Sequence, residues 1–197
     1  MTDRRTGPDD EPGDNVGDRF ARLPATEADR SVAGRATRTA VVDFWADRFG
    51  VPPETFAEFT FWEKGAGKVW VLHEGGRPGR TERDGPAGPE GREWLPSPIE
   101  IQALGMAFLR TRQEHWKPTT EAAQRFGRHA TRNVVELTDE QARRFFARED
   151  QDLGWDGDWG YLIAARETAS EAEPLGVGLY LHGELRSMVP KGRRREL

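Results

Sequence analysis

The chain has 197 residues, a formal net charge of −5 and no cysteine, which is room for one ordinary domain or two small ones sharing an interface. The missing thiols exclude disulfides, thiolate metal sites and cysteine nucleophiles, and they fit a reducing, cytoplasmic location. No apolar stretch approaches the roughly 20 residues of a membrane-spanning helix, so no membrane partner is expected.

Residues 1–34 are rich in Asp, Arg, Gly and Pro, lack apolar periodicity and contain no secretory h-region, so they read as a disordered tail. The first helix is expected in "RTAVVDFWADRFGVPPETF", where Val41, Val42, Trp45 and Phe49 share one face, Gly50 suits the C′ position and Pro52 stops the helix. "FTFWE" and "KVWVLH" flank "KGAG" and read as a hairpin. A Gly/Pro/charge-rich stretch over 74–93 reads as a mobile loop, followed by two strands in "SPIEIQAL" and "GMAFLRT". "KPTTEAAQRFGRHA" is a helix with Thr119 or Thr120 as N-cap and Glu121 in its first turn.

"NVVEL" is a short strand, and "TDEQARRFF" opens with a Thr138–Gln141 capping box that turns Phe145 and Phe146 inward. Three strands close the chain, "WGYLIAARE", "LGVGLYL" and "ELRSMV". Leu175, Val177, Leu179 and Leu181 alternate onto one face of the middle strand, with Gly176, Gly178 and Tyr180 on the other. His182 before Gly183 fits a turn, because histidine tolerates the left-handed region better than most residues. The expected class is α+β: residues 35–132 form an N-terminal α+β region, and 133–197 form a small β-barrel.

Charge is unevenly spread. From Arg110 to Arg132 six basic residues face two glutamates, and from Arg186 to Leu197 five face one, so each segment carries +4 in a chain that is acidic as a whole. Two basic islands on an acidic background suit a polyanion, although the same arginines would also suit a solvated helix face and a frayed tail. Trp116 beside Lys117 could stack a splayed base while the cation meets a phosphate, or could be a hinge in the core. Gly176 would permit close approach of a nucleic-acid backbone or simply tight curvature.

Enzyme signatures are missing. "KGAGKVW" lacks the remaining parts of a phosphate loop, and His73, His115, His129 and His182 have no metal-ligand spacing, so no metal or cofactor is expected. Asp156 and Asp158 lie in a Gly-rich turn, which they are expected to shape.

"RNVVELTDEQARRFF", "GWDGDWGYLIAAR" and "PLGVGLYLHGELRSMVPKGRR" together resemble the PUA-like RNA-binding domain at the C-terminus of Fmu/Sun-type RNA cytosine-C5 methyltransferases. Gly160–Ile163, the Pro174–Gly178 strand and the Pro190–Arg193 ending carry the likeness. Upstream, "FWADRFGVPPETFAEFTFWEKGAGKVWVL" is similar to the segment that precedes the domain, and more so to stand-alone archaeal relatives. The resemblance implies a pre-PUA-like α+β region followed by a PUA-like barrel. The methylation reaction needs a cysteine nucleophile, which this chain lacks, together with any S-adenosylmethionine loop.

The expectation is therefore a non-catalytic protein for structured tRNA or rRNA, accessory to an RNA methyltransferase or to ribosome biogenesis. Phosphate contacts fall to Lys117, Arg125, Arg128, Arg186, Lys191, Arg193, Arg194 and Arg195, stacking to Trp116, and backbone approach to Gly176 and Gly192. Two alternatives stand beside it. One is a protein-interaction module using exposed Trp62 and Trp70, and the other an RNA-acting enzyme using His115 and His129.

Overall fold

The computed structural model describes residues 20–74, 102–168 and 172–193. The first sheet is antiparallel in the order β1-β2-β3-β4-β5: β1 (Phe20–Arg22), β2 (Phe59–Lys64), β3 (Lys68–His73), β4 (Met106–Arg110) and β5 (Lys117–Pro118). Helix α1 (Arg38–Phe49) buries Val41, Val42, Trp45 and Phe49. Its Thr37 side chain accepts from the Ala40 amide, and Gly50 turns into the left-handed region at φ 66°, where glycine bears no Cβ penalty.

The tail expected through residue 34 ends earlier. Phe20–Arg22 pairs with Trp62–Lys64, and Arg35 forms a buried ion pair with Glu63 at 2.8 Å. The other Glu63 oxygen accepts from the Gly67 amide at 2.9 Å, so the carboxylate is compensated on both sides. Residues 1–19, the 74–93 loop beyond Glu74 and most of "SPIEIQAL" lie outside the described residues.

Helix α2 (Thr120–Phe126) takes Thr119 as its N-cap. It packs between β4 and the second sheet, whose order is β6-β8-β9-β10-β7. That sheet comprises β6 (Val134–Leu137), β7 (Gln151–Asp152), β8 (Gly160–Glu167), β9 (Ala172–Leu181) and β10 (Glu184–Ser187). β6 runs parallel to β8 and the other pairs are antiparallel, and the sheet curls into a half-barrel. Helix α3 (Asp139–Ala147) starts on the Thr138–Gln141 capping box and buries Phe145 fully. The fold is α+β.

The expected alternation along β9 fails at one place. Ala164 pairs with Gly176 but Ala165 pairs with Pro174, so Leu175 is an extra residue in a bulge. Leu175 joins the half-barrel core with Tyr180, Leu162 and Ala164. Val177 and Ile163 instead join Trp45, Phe108 and Phe126 in a core shared by both sheets. With one face on the half-barrel core and the other on α2, β9 is buried on both sides. Gly176 is part of that packing. A Cβ there would sit 3.0 Å from Thr120 Cγ2 and 3.7 Å from Phe145 Cε1, so the space beside Gly176 is filled by side chains of α2 and α3.

Trp62, named above as an exposed aromatic, is fully buried, packed with Phe20, Leu72 and Leu104; Trp70 is half-buried against the same cluster. β2 is the second strand of a five-stranded sheet and is buried on both faces, which its short apolar run does not distinguish from burial on one.

Candidate nucleic-acid interface

Two neighbouring features lie where the sheets meet. The first is a cluster of like charge. β4 and β5 place Arg110 directly opposite Lys117 as cross-strand partners, and Arg148, the left-handed C-cap of α3 at φ 63°, adds its repulsion at the same ammonium. Lys117 Nζ donates to Met188 Sδ at 3.3 Å and lies 5.8 Å from the Tyr161 ring centroid. Arg148 Nη1 donates to the Val189 carbonyl at 2.8 Å. None of the three cations is ion-paired with a carboxylate among the described residues. Burial, followed by repulsion from Arg110 and Arg148, holds the Lys117 ammonium below the usual lysine range. Met188 and Val189 lead straight into Pro190 and Lys191, so the cluster sits at the root of the basic C-terminus.

The second feature is a cavity of 520 Å³ lined by Phe44, Arg48, Glu114, His115, Trp116, Asp158, Trp159, Gly160 and Tyr161. Arg48 organises one wall. It donates to the carbonyls of Trp159 (2.9 Å) and Tyr161 (3.1 and 3.2 Å) and meets Asp158 Oδ2 at 3.3 Å. Burial lowers the Arg48 pKa, and Asp158 opposes that shift. Burial also raises the Tyr161 pKa, which keeps its phenol protonated at neutral pH. At the rim Trp159 is 62% exposed and stands edge-on to His115, with centroids 5.4 Å apart at 89°.

These positions follow from local sequence. Arg48 lies in the last turn of α1, just before Gly50 ends it, and its carbonyl accepts from Asn133 Nδ2 at 2.7 Å. Asp158 and Trp159 occupy the turn before β8 begins at Gly160 (φ 107°). Asp158 therefore does more than shape a turn, since its side chain ties the turn to α1.

Residues 132–195 match the family model of the methyltransferase RsmF PUA domain. The C-terminal unit is a PUA-like domain. Residues 7–82 match a family of unknown function (DUF7122), and no curated protein matches the chain. Both features described above draw on the PUA-like domain and on the part before it. Arg148, Met188 and Asp158–Tyr161 come from the domain; Arg110, Lys117, Phe44, Arg48 and residues 114–116 precede it.

The other residues singled out by sequence are dispersed. Trp116 is half-buried, packed on Phe44 at 5.6 Å, and forms a wall of the cavity. Arg125 lies in the last turn of α2 and Arg128 in the 3₁₀ turn that follows it, at the opposite end of the helix from Lys117 on β5. Arg125 covers the Phe59 and Phe126 rings at 5.7 and 5.8 Å, and Arg128 Nε donates to His129 Nε2 at 3.3 Å.

Arg186, on β10 of the PUA-like domain, is engaged by Glu184 (2.7 Å) and Asp150 (3.9 Å). Lys191 and Gly192 are exposed in a short 3₁₀ turn that ends with Arg193. Arg193 is described in its backbone alone, and Arg194 and Arg195 lie outside the described residues. His115 lines the cavity whereas His129 ends the 3₁₀ turn after α2, so the two histidines do not share that pocket.

Sequence reasoning did not single out Arg110, Arg148, Arg48, Trp159 or Tyr161 for this site. Arg110 could have been found from its place opposite Lys117 in a strand pair. Arg148 could not, because a charge count in a local window does not see a residue 31 positions away.

Proposed function

We propose that this protein is a non-catalytic RNA-binding protein that holds structured RNA, tRNA or rRNA, across the junction of its two sheets, in the cytoplasm. The observation that carries the reading is the Arg110–Lys117–Arg148 cluster, uncompensated among the described residues, at the root of the basic C-terminus. Three neighbouring cations that meet no carboxylate among the described residues repel one another, and a phosphate relieves that repulsion. The PUA-like domain supports RNA as the polyanion. Lys191, Arg193, Arg194 and Arg195 extend the phosphate track, and Arg125 on α2 and Arg128 in the turn after it carry it further. The role is accessory, in RNA modification beside a methyltransferase or in ribosome biogenesis.

The experiment is RNA binding measured as a function of salt. With about five phosphates neutralised, log affinity for single-stranded RNA falls with log salt at a slope of about −3.5. Lys117→Gln with Arg148→Gln, and separately Arg193→Ala with Arg194→Ala and Arg195→Ala, should each make that slope shallower by about 0.7 for every phosphate no longer neutralised. A flat salt response, or unchanged binding in both variants, overturns the reading.

A further inference from the structure

An isolated exposed indole on a protein surface needs no explanation. Trp159 is different because of what surrounds it. It stands at the rim of a 520 Å³ cavity whose walls include Phe44, Trp116 and Tyr161, within the roughly 300–1,000 Å³ range of small-ligand pockets. The same segment is pinned by four Arg48 hydrogen bonds, so the ring stands on a fixed backbone rather than a loose loop. The ring stands perpendicular to His115 at the mouth of the cavity, and most of its surface is open to solvent.

The charges sort the ligand. Glu114 and Asp158 line the cavity, and the Arg48 guanidinium, the one guanidinium among its described lining residues, is already occupied by Asp158 and two carbonyls. A phosphate inside would face the Glu114 carboxylate and an Asp158 carboxylate already paired with Arg48, whereas an amino group would find acceptor oxygens on both. Positive charge lies outside, on Lys117 next to Tyr161 and on Arg110 and Arg148. An aromatic interior with acceptors, and a cationic cluster alongside, divides a nucleotide into base and phosphate.

Resting on the RNA reading above, we infer that this cavity receives one unstacked nucleobase of the bound RNA, stacked on Trp159 with its amino edge toward Glu114 and Asp158, while its flanking phosphate meets the Lys117 cluster. The site is composite. Neither the PUA-like domain nor the region before it contains a whole pocket. The protein therefore reads a bulge or a splayed end in an otherwise structured RNA.

The test uses the full chain and two hairpin RNAs, one fully paired and one carrying a single bulged 2-aminopurine. The wild type should bind the bulged hairpin more tightly and change the fluorescence of the bulged base. Trp159→Ala should weaken that complex about tenfold, the scale of one lost base–aromatic stack, and leave the paired hairpin within about twofold. Glu114→Gln should weaken binding of a bulged guanosine more than that of a bulged uridine, which has no amino group.

Equal wild-type affinity for the two hairpins, or equal losses on both in Trp159→Ala, overturns the pocket and leaves RNA binding standing. Failure of the wild type to bind either hairpin overturns both readings. The Trp159 ring is exposed, so an unchanged melting temperature in the variant separates lost stacking from lost folding.

Discussion

At the scale of single residues, Lys117 stores a small conflict. Its ammonium is half-buried beside two guanidinium groups, and its pKa is lowered first by burial and then by that repulsion. In the pH window between the lowered folded value and the ordinary lysine value of about 10.4, the unfolded chain binds more protons than the folded one. Stability contributed by this group therefore rises with pH across that window and is diminished below it. Lys117→Met should stabilise the free protein at neutral pH by on the order of 0.5 kcal/mol, the scale of one relieved, partly exposed charge interaction, while weakening RNA binding. Thermal melts of both proteins as the pH is raised from neutral toward the ordinary lysine value of about 10.4 check the sign: the wild type should gain on the variant as pH rises. A constant difference would mean that the ammonium is not under strain. A bound phosphate reverses the effect by favouring the charged form, so RNA affinity should decline as pH rises through the same window.

At the scale of elements, what was legible in the sequence is what is encoded within a few residues. The Thr138–Gln141 box is one example: Thr138 accepts from the Gln141 amide at 3.3 Å and Gln141 accepts from the Thr138 amide at 2.9 Å. Gly50 and the His182–Gly183 turn, with φ of 52° and 89° at the latter, are others. Thr138→Ala should cost about 1 kcal/mol, read as a lower denaturation midpoint with an unchanged slope, and should leave RNA binding intact because α3's first turn is far along the helix from Arg148. The elements that escaped are those defined by partners. β1, β5 and β7 have only two or three residues, too few to show a period. The Leu175 bulge that reverses the alternation on β9 is visible only once β8 lies beside it. Trp62 on β2 was misplaced for the same reason, as a short apolar run does not reveal whether one or both faces are covered. The cavity was the least legible feature, because its walls come from three separated stretches.

At the scale of the whole molecule, the two sheets do not have separate interiors. Ile163 and Val177 from the PUA-like domain are fully buried in the cluster that contains Trp45, Phe108 and Phe126, and α2 lies between the sheets. The protein should therefore unfold in one transition, with tryptophan fluorescence and far-ultraviolet dichroism coinciding. Phe126→Ala should cost about 3–5 kcal/mol and lower both signals together. Two separated transitions would show that the shared core does not couple the sheets. The same coupling holds the composite cavity together, since its walls cannot part without opening that core.

The C-terminal end of α1 has a consequence for how the protein is made. Its last carbonyls are satisfied by residues just ahead of β6: the Thr131 and Arg132 amides donate to Phe49 at 2.9 and 3.0 Å, Asn133 Nδ2 to Arg48, and Arg132 Nη2 to Ala46. Asn133 follows Arg48 by 85 positions. At translation rates of about 5–20 residues per second, the end of the helix is synthesised roughly 4 to 17 seconds before its clasp. Until then α1 must rely on water or borrowed partners at that end, so the nascent chain passes through a period in which its first half has been made but cannot be finished.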